Sequence, residues 1–189
     1  MGIQSEKSSQ PFELIQSMTR RHRAAHGCGA YTFEDGPGLI ALAAAYQAKR
    51  VLELGTALGY TACCLAAAGP DTCVDTIEID PEHVRLAREN IAKAALSDRV
   101  RVHQGDFMAV MDQCRGDYDL AFFDGYSPEL RLLRRLGGKL RDGGLLVCAN
   151  LSFAHEDSEA ELNDVAKWTP AGSIEEGGTW AFVKNTEVA

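Results

Sequence analysis

The chain has 189 residues, 46% hydrophobic and 24% charged, enough for one domain with a full core and ordinary for a soluble globular protein. Its net charge of −8 disfavours broad contact with nucleic acid or an anionic membrane. No apolar run approaches the roughly 18 residues needed to cross a bilayer, and the polar start, Met1 to Gln10, lacks a signal-peptide core, so a cytoplasmic protein is expected.

In chain order, Pro11 to about Ala25 carries Phe12, Leu14, Ile15 and Met18 at helical spacing, and Pro11 suits a first helical turn. Thr32 to Pro37 reads as a turn and Gly38 to Ala48 as an apolar helix. Val51 to Leu54 is a short buried strand, Tyr60 to Ala68 a helix, and Cys73 to Ile79 a second strand. Pro81 to about Ala95 is amphipathic, with Val84, Leu86, Ala87 and Ile91 inward. Arg99 to His103 is strand three, Phe107 to Met111 a short helix, and Tyr118 to Phe123 strand four. A helix over Pro128 to Leu140, a turn at Asp142-Gly-Gly144 and a strand over Leu145 to Cys148 follow, then a weakly patterned helix around Asp157 to Trp168. Ser173 to Glu176 and Thr179 to Lys184 flank Gly177-Gly178 as in a β-hairpin. Strands alternating with helices at this rhythm predict a doubly wound, mostly parallel α/β sheet. The six cysteines form no C-x-x-C pair and read as free, mostly buried thiols.

The segment Val51-Leu-Glu-Leu-Gly-Thr-Ala-Leu-Gly-Tyr60 ends a strand in glycine and re-enters as a helix. Such a turn brings bare backbone, and the free N–H groups of the helix start, close to a ligand. A dinucleotide fingerprint would need glycine at Ala57 and Tyr60, so that ligand is excluded. Glu53-x-Gly55-x-x-x-Gly59 instead resembles motif I of the class I S-adenosylmethionine (SAM) methyltransferases. The next strand, Thr76-Ile-Glu-Ile-Asp80, ends in acid, as where an acid takes ribose hydroxyls. The resemblance implies that Glu53, Gly55, Thr56, Gly59, Tyr60, Thr61 and Glu78 hold the cofactor. A carboxylate inside a buried strand also needs a polar partner, so Glu53 is expected to find a loop N–H or the ligand.

Ligands of open α/β sheets lie beyond the carboxyl ends of the strands. Strand three ends in Asp106-Phe107, placing Asp106 to accept from an adenine amine and Phe107 to stack on the ring. Asp124 ends strand four, where it is expected to help hold the cofactor, and Asn150 ends strand five; both are candidate catalytic residues, and Asp80 is read as a helix cap. Tyr126 and His155 are candidate proton acceptors near the same rim, and His83 and His103 fall on a helix and a strand away from the acceptor side.

From Val51 to Phe153 the pattern looks like the catechol and caffeoyl-CoA O-methyltransferase family. It is carried by Val51-Leu-Glu-Leu-Gly-Thr56, Thr76 to Pro81, Gly105-Asp106, Tyr118 to Asp124 and Gly143 to Asn150. Arg20 to Ala48 is similar to that family's N-terminal cap. The resemblance implies a seven-stranded class I fold with a C-terminal β-hairpin, one domain over 1–189, with a helical cap region over 1–48 and an α/β core over 49–189. It implies O-methylation of a small-molecule hydroxyl, and it admits a homodimer. Members that use a divalent cation hold it with an Asp matched by Asp124 and an Asp-Asn pair, of which Asn150 matches and Ala149 does not. Mg²⁺ prefers six oxygens with at least one or two carboxylates, so Asp124 and Asn150 make a poor site unless the substrate supplies oxygens, which leaves metal use open. The family lysine three residues past the strand-four Asp is Ser127 here. Arg20, Arg21 and Arg23 on the cap fit either a solvated helix face or a grip on an anionic substrate group. A tRNA methyltransferase, needing a positive face continuous with the cofactor pocket, and a non-catalytic SAM-binding protein are the alternatives.

Overall fold

A computed structural model of the chain describes residues 12–186. Pro11, the expected first residue of the opening helix, lies outside them, and that helix, α1, runs Glu13–His26. It is followed by α2 (Gly36–Ala45), β1 (Arg50–Leu54), α3 (Tyr60–Ala66), β2 (Cys73–Glu78), α4 (Pro81–Lys93), β3 (Val100–Gln104) and α5 (Phe107–Met111). The second half carries β4 (Tyr118–Phe123), α6 (Leu130–Lys139), β5 (Leu140–Cys148), a 3₁₀ turn at Leu151–Phe153, α7 (Glu156–Leu162), β6 (Trp168–Ile174) and β7 (Thr179–Lys184).

The seven strands form one sheet in the order β3-β2-β1-β4-β5-β7-β6, parallel from β3 to β5 and antiparallel through β7 and β6. Successive strand residues face opposite sides, so Val51 packs with α1 to α4 while Leu52 and Leu54 pack with α5 to α7. Both faces are therefore covered, which is why the central strands read as continuous apolar runs. Burying each of Leu52 and Leu54 completely contributes about 1.5–3 kcal/mol relative to exposure.

The closing hairpin differs from expectation. Its first strand is β6, starting at Trp168, and the connection is Glu175 to Gly178 rather than a Gly-Gly pair. Glu175, Glu176 and Gly177 all have positive φ (52°, 53° and 94°). Non-glycine residues adopt this conformation at a cost, and here the turn is tethered. The Glu34 N–H donates to Glu175 Oε1 (2.9 Å) and the Thr179 hydroxyl to Glu175 Oε2 (2.7 Å). β5 also begins earlier than expected, because the strand takes in Asp142-Gly-Gly144 as a bulge in its pairing with β4, with Gly143 at φ of +70°.

Candidate active site

The chain runs outward from β1 through β2 to β3, then crosses to β4 on the other side of β1. This reversal is where an open α/β sheet splays its loops and makes a crevice. Gly55 follows β1 and Asp124 follows β4, and a Cβ on Gly55 would sit 3.0 Å from the Asp124 carbonyl oxygen. With φ of +102° as well, position 55 admits only glycine without strain. The resulting cleft, about 470 Å³, is bounded by Gly55, Glu78, His83, Phe107, Asp124 and Asn150, with Tyr31, Tyr126 and Phe153 at its mouth.

Glu78 shapes the floor. Its Oε2 accepts from the Ala57 N–H (2.9 Å) and its Oε1 from the Asp80 N–H (3.0 Å). The acid at the end of β2 thus holds the glycine turn after β1, and each oxygen keeps a lone pair for a ligand hydroxyl. Asp80 caps α4 as expected, accepting from the Glu82 and His83 N–H groups. Gly59 takes φ of +91° at the start of α3, so Tyr60 and Thr61 present the first helical turn to a small recess beside the cleft. Thr56 lines that recess too, with its hydroxyl paired to that of Thr76 (2.6 Å).

Glu53 does not reach the cleft. Strand alternation turns it to the α3 side, where it is fully buried and neither oxygen has a hydrogen-bond partner. The expected loop N–H is not there. Burial pushes its carboxyl up to about 7, only partly opposed by the nearby Thr61 and Thr76 hydroxyls.

Asp124 is half-buried, and desolvation together with the neighbouring Glu175 carboxylate raises it to about 7. Asn150, in the left-handed conformation, donates from Nδ2 to the Gly125 carbonyl (2.9 Å) and, at 3.4 Å, to Asp124 Oδ1. The two matched family positions therefore meet, but Asn150 turns its donor to the carboxylate and Ala149 is buried without a ligating atom. One carboxylate and one amide fall short of the six oxygens that Mg²⁺ prefers. Ser127 donates to the Phe153 carbonyl (2.8 Å) and ties down the loop instead of supplying a base. That tie supports Tyr126 and Phe153, both exposed, whose rings stack 5.7 Å apart with planes 10° apart.

Several expected site residues fall elsewhere. Asp106 is exposed and caps α5 through Oδ1, in a groove shared with Arg131, Arg134 and Arg135. Phe107 does line the cleft, edge-on to Phe123. His155 opens α7 and lines a separate groove with Glu129 and Arg131, because the 3₁₀ turn and the extended Ala154 carry it past the rim. His83, expected away from the acceptor side, instead lines the cleft, since α4 starts at the rim and its first turn faces inward. The spacing His83, Ala87, Asn90 marks that inward stripe and was readable in the sequence. His103 hydrogen-bonds Asp75 (2.7 Å), which also accepts from the Tyr118 hydroxyl (2.9 Å), within the sheet. On the cap, Arg20 pairs with Glu34 and Arg23 lies over the Tyr31 ring.

A doubly wound sheet with a glycine turn, an acid on β2 and a carboxylate-lined cleft at the strand reversal defines a class I methyltransferase-like nucleotide-binding fold. The sequence profile of the O-methyltransferase family matches residues 5–167, and the chain belongs to that family. It is 36% identical over 133 residues to a catechol O-methyltransferase of Mycobacterium tuberculosis, covering 62% of this chain and 60% of that protein. The chain spans less than two-thirds of the length of the first curated relatives it matches. Its fold is shared with the O-methyltransferase TomG of Streptomyces achromogenes, solved with SAM (TM-score 0.78, 21% identity, 91% of this chain and 90% of that one). A Bacillus cereus O-methyltransferase solved with SAH is similarly close (TM-score 0.76, 21% identity, 94% of each chain). Among the described residues, no helix is long and apolar enough to cross a membrane.

Proposed function

We propose that this chain is a SAM-dependent O-methyltransferase acting on a small hydroxyl compound without a divalent cation. The observation that carries it is the meeting of the Gly55–Gly59 turn, Glu78 and Asp124 around one cleft at the strand reversal. Glu78 would take the ribose hydroxyls, Tyr60 and Thr61 would border the cofactor, and Phe107 would flank the adenine. Gly55, Thr56 and Gly59 would shape the backbone around it. Asp106 would contribute only from the cleft's outer side, and Glu53 from beneath, by supporting α3.

Tyr126 and Phe153 would present a flat aromatic wall to the acceptor, with Asn150 positioning Asp124. Transfer is an in-line displacement: the acceptor oxygen bonds to the methyl carbon, the C–S bond breaks, and its electron pair stays on sulfur. Holding the two reactants in line supplies much of the rate. The sulfonium charge vanishes in that step, so Asp124 loses a cationic neighbour and becomes more basic as the acceptor hydroxyl releases its proton. Its carboxyl, pushed up to about 7 by burial and the neighbouring Glu175, suits that acceptance.

Among the described residues, the cleft's ionisable lining is Tyr31, Glu78, Asp80, His83, Asp124 and Tyr126, with no Arg or Lys. That disfavours an RNA substrate and favours a cationic cofactor. The test is calorimetric titration of wild type and Glu78→Ala with S-adenosylhomocysteine (SAH). Micromolar binding to wild type, weakened by at least roughly tenfold in the variant, supports the reading. No binding to wild type overturns it.

A further inference from the structure

On the cap side of the cleft, three side chains from separate parts of the chain converge without a role in methyl transfer. A nitrogen of His22 (α1), the thiol of Cys28 (the turn after α1) and a nitrogen of His83 (α4) all lie within 4.8 Å of one another. We propose that His22, Cys28 and His83 form a binding site for a thiophilic divalent transition metal, of the Zn²⁺ type, that pins the cap helix α1 to α4.

Local structure builds the cluster. α1 ends with Gly27 in the left-handed conformation (φ +62°), its N–H donating to the Arg23 carbonyl. This reverses the chain and returns Cys28 to the face of the helix that carries His22. His83 is brought from the other side by the first turn of α4, where Asp80 caps the helix. Its ring stands edge-on to that of His22, centroids 5.3 Å apart. His26, one turn beyond His22, stacks on it at 4.6 Å and is exposed.

The chemistry suits zinc rather than magnesium. Two imidazoles and a thiolate are borderline-to-soft donors, and Zn–N and Zn–S bonds of about 2.0–2.3 Å set tetrahedral ligand atoms roughly 3.5 Å apart. The three ligand atoms lie within 4.8 Å of one another, so binding requires the side chains to close towards that spacing. A ligating histidine binds through its neutral ring and a ligating cysteine as the thiolate. Nδ1 of His83 faces Glu78 Oε1 at 3.8 Å, the arrangement in which a carboxylate orients a metal-bound imidazole through its other nitrogen. Among the described residues, this is the one group of three or more such side chains close enough to share an ion. It is separate from the Asp124–Asn150 pair.

The test is titration of tag-free, reduced, chelator-treated full-length protein with Co²⁺, followed by displacement with Zn²⁺. The expected result is a single equivalent bound, with thiolate-to-cobalt charge-transfer absorption and the intense d–d bands of a four-coordinate ion, both abolished by Zn²⁺. Cys28→Ser, close to isosteric, should lose the charge-transfer band, and His22→Gln should weaken Zn²⁺ binding by at least roughly tenfold while the metal-free proteins keep the wild-type circular dichroism. Absence of the band in wild type, its survival in Cys28→Ser, or unchanged Zn²⁺ affinity in His22→Gln would overturn the proposal. None of these readouts depends on methyl transfer or SAH binding.

Discussion

The carboxylate of Glu78 accepts a hydrogen bond from the backbone N–H of Ala57, at 2.9 Å, so the acid at the end of one strand fastens the glycine turn at the end of its neighbour. Ala57 itself has φ of +44°, a conformation that costs a non-glycine residue roughly 1–2 kcal/mol. The two sequence signals, an acid on β2 and a spaced glycine pair after β1, are thus halves of one device. Replacing Glu78 with Gln leaves an amide NH₂ facing one of the two backbone donors. Native-state hydrogen exchange at the Ala57 amide is then expected to accelerate by roughly tenfold or more in the ligand-free protein. Unchanged protection would show that the turn holds itself.

Glu53 offers a stability experiment. Its carboxyl rises from an ordinary 4.5 to about 7 on folding, so the folded state binds more protons than the unfolded one between those values. Its contribution to stability is therefore greatest at low pH and is lost as pH rises from about 4.5 through about 7, with no further change above. The stability difference between wild type and Glu53→Gln should move against wild type by roughly 3 kcal/mol across that window. Urea unfolding of both proteins at about pH 5 and about pH 8 checks it, and a pH-independent difference would contradict it.

For Asp124, the two cofactor forms discriminate. SAM carries a sulfonium charge that SAH lacks, and an ionised Asp124 attracts only the former. SAM affinity is expected to tighten as pH rises towards about 7, by as much as about tenfold per unit, and to level off above. SAH affinity should change less, and Asp124→Asn should make the two profiles parallel. Parallel profiles in wild type would remove Asp124 from the sulfonium's vicinity.

The Asn150 geometry and the buried Ala149 bear on metal dependence. Mg²⁺ at millimolar concentration should alter SAH affinity by less than about twofold in wild type. A larger effect in calorimetry would mean that Asp124 and Asn150 recruit further oxygens.

Much of the fold was legible because parallel strands covered on both faces leave apolar runs, and β4 begins and ends where its run does. The glycine turn and Glu78 were legible because backbone conformation and a strand-end acid leave few alternatives. What failed depended on direction rather than identity. Glu53 carries the family's acid, but alternation aims it at α3 rather than the cleft. His155 follows the right strand, yet a 3₁₀ turn and the extended Ala154 carry it away. His83 looked distant in sequence from the acceptor side, whereas the first turn of α4 brings it in. The β6–β7 connection misled because Gly177-Gly178 suggested a tight turn, while Glu175 and Glu176 adopt the left-handed conformation and Glu175 accepts from Glu34 and Thr179.

That last tether joins residues 141 positions apart: the Glu34 N–H is satisfied by Glu175. On the ribosome, β1 to β5 and their helices emerge with all their parallel partners, but Glu34 waits until Glu175 has been made. β7, which must slot between β5 and β6, arrives later still. The order of synthesis thus lays down the floor of the cleft before the contact that fastens the cap.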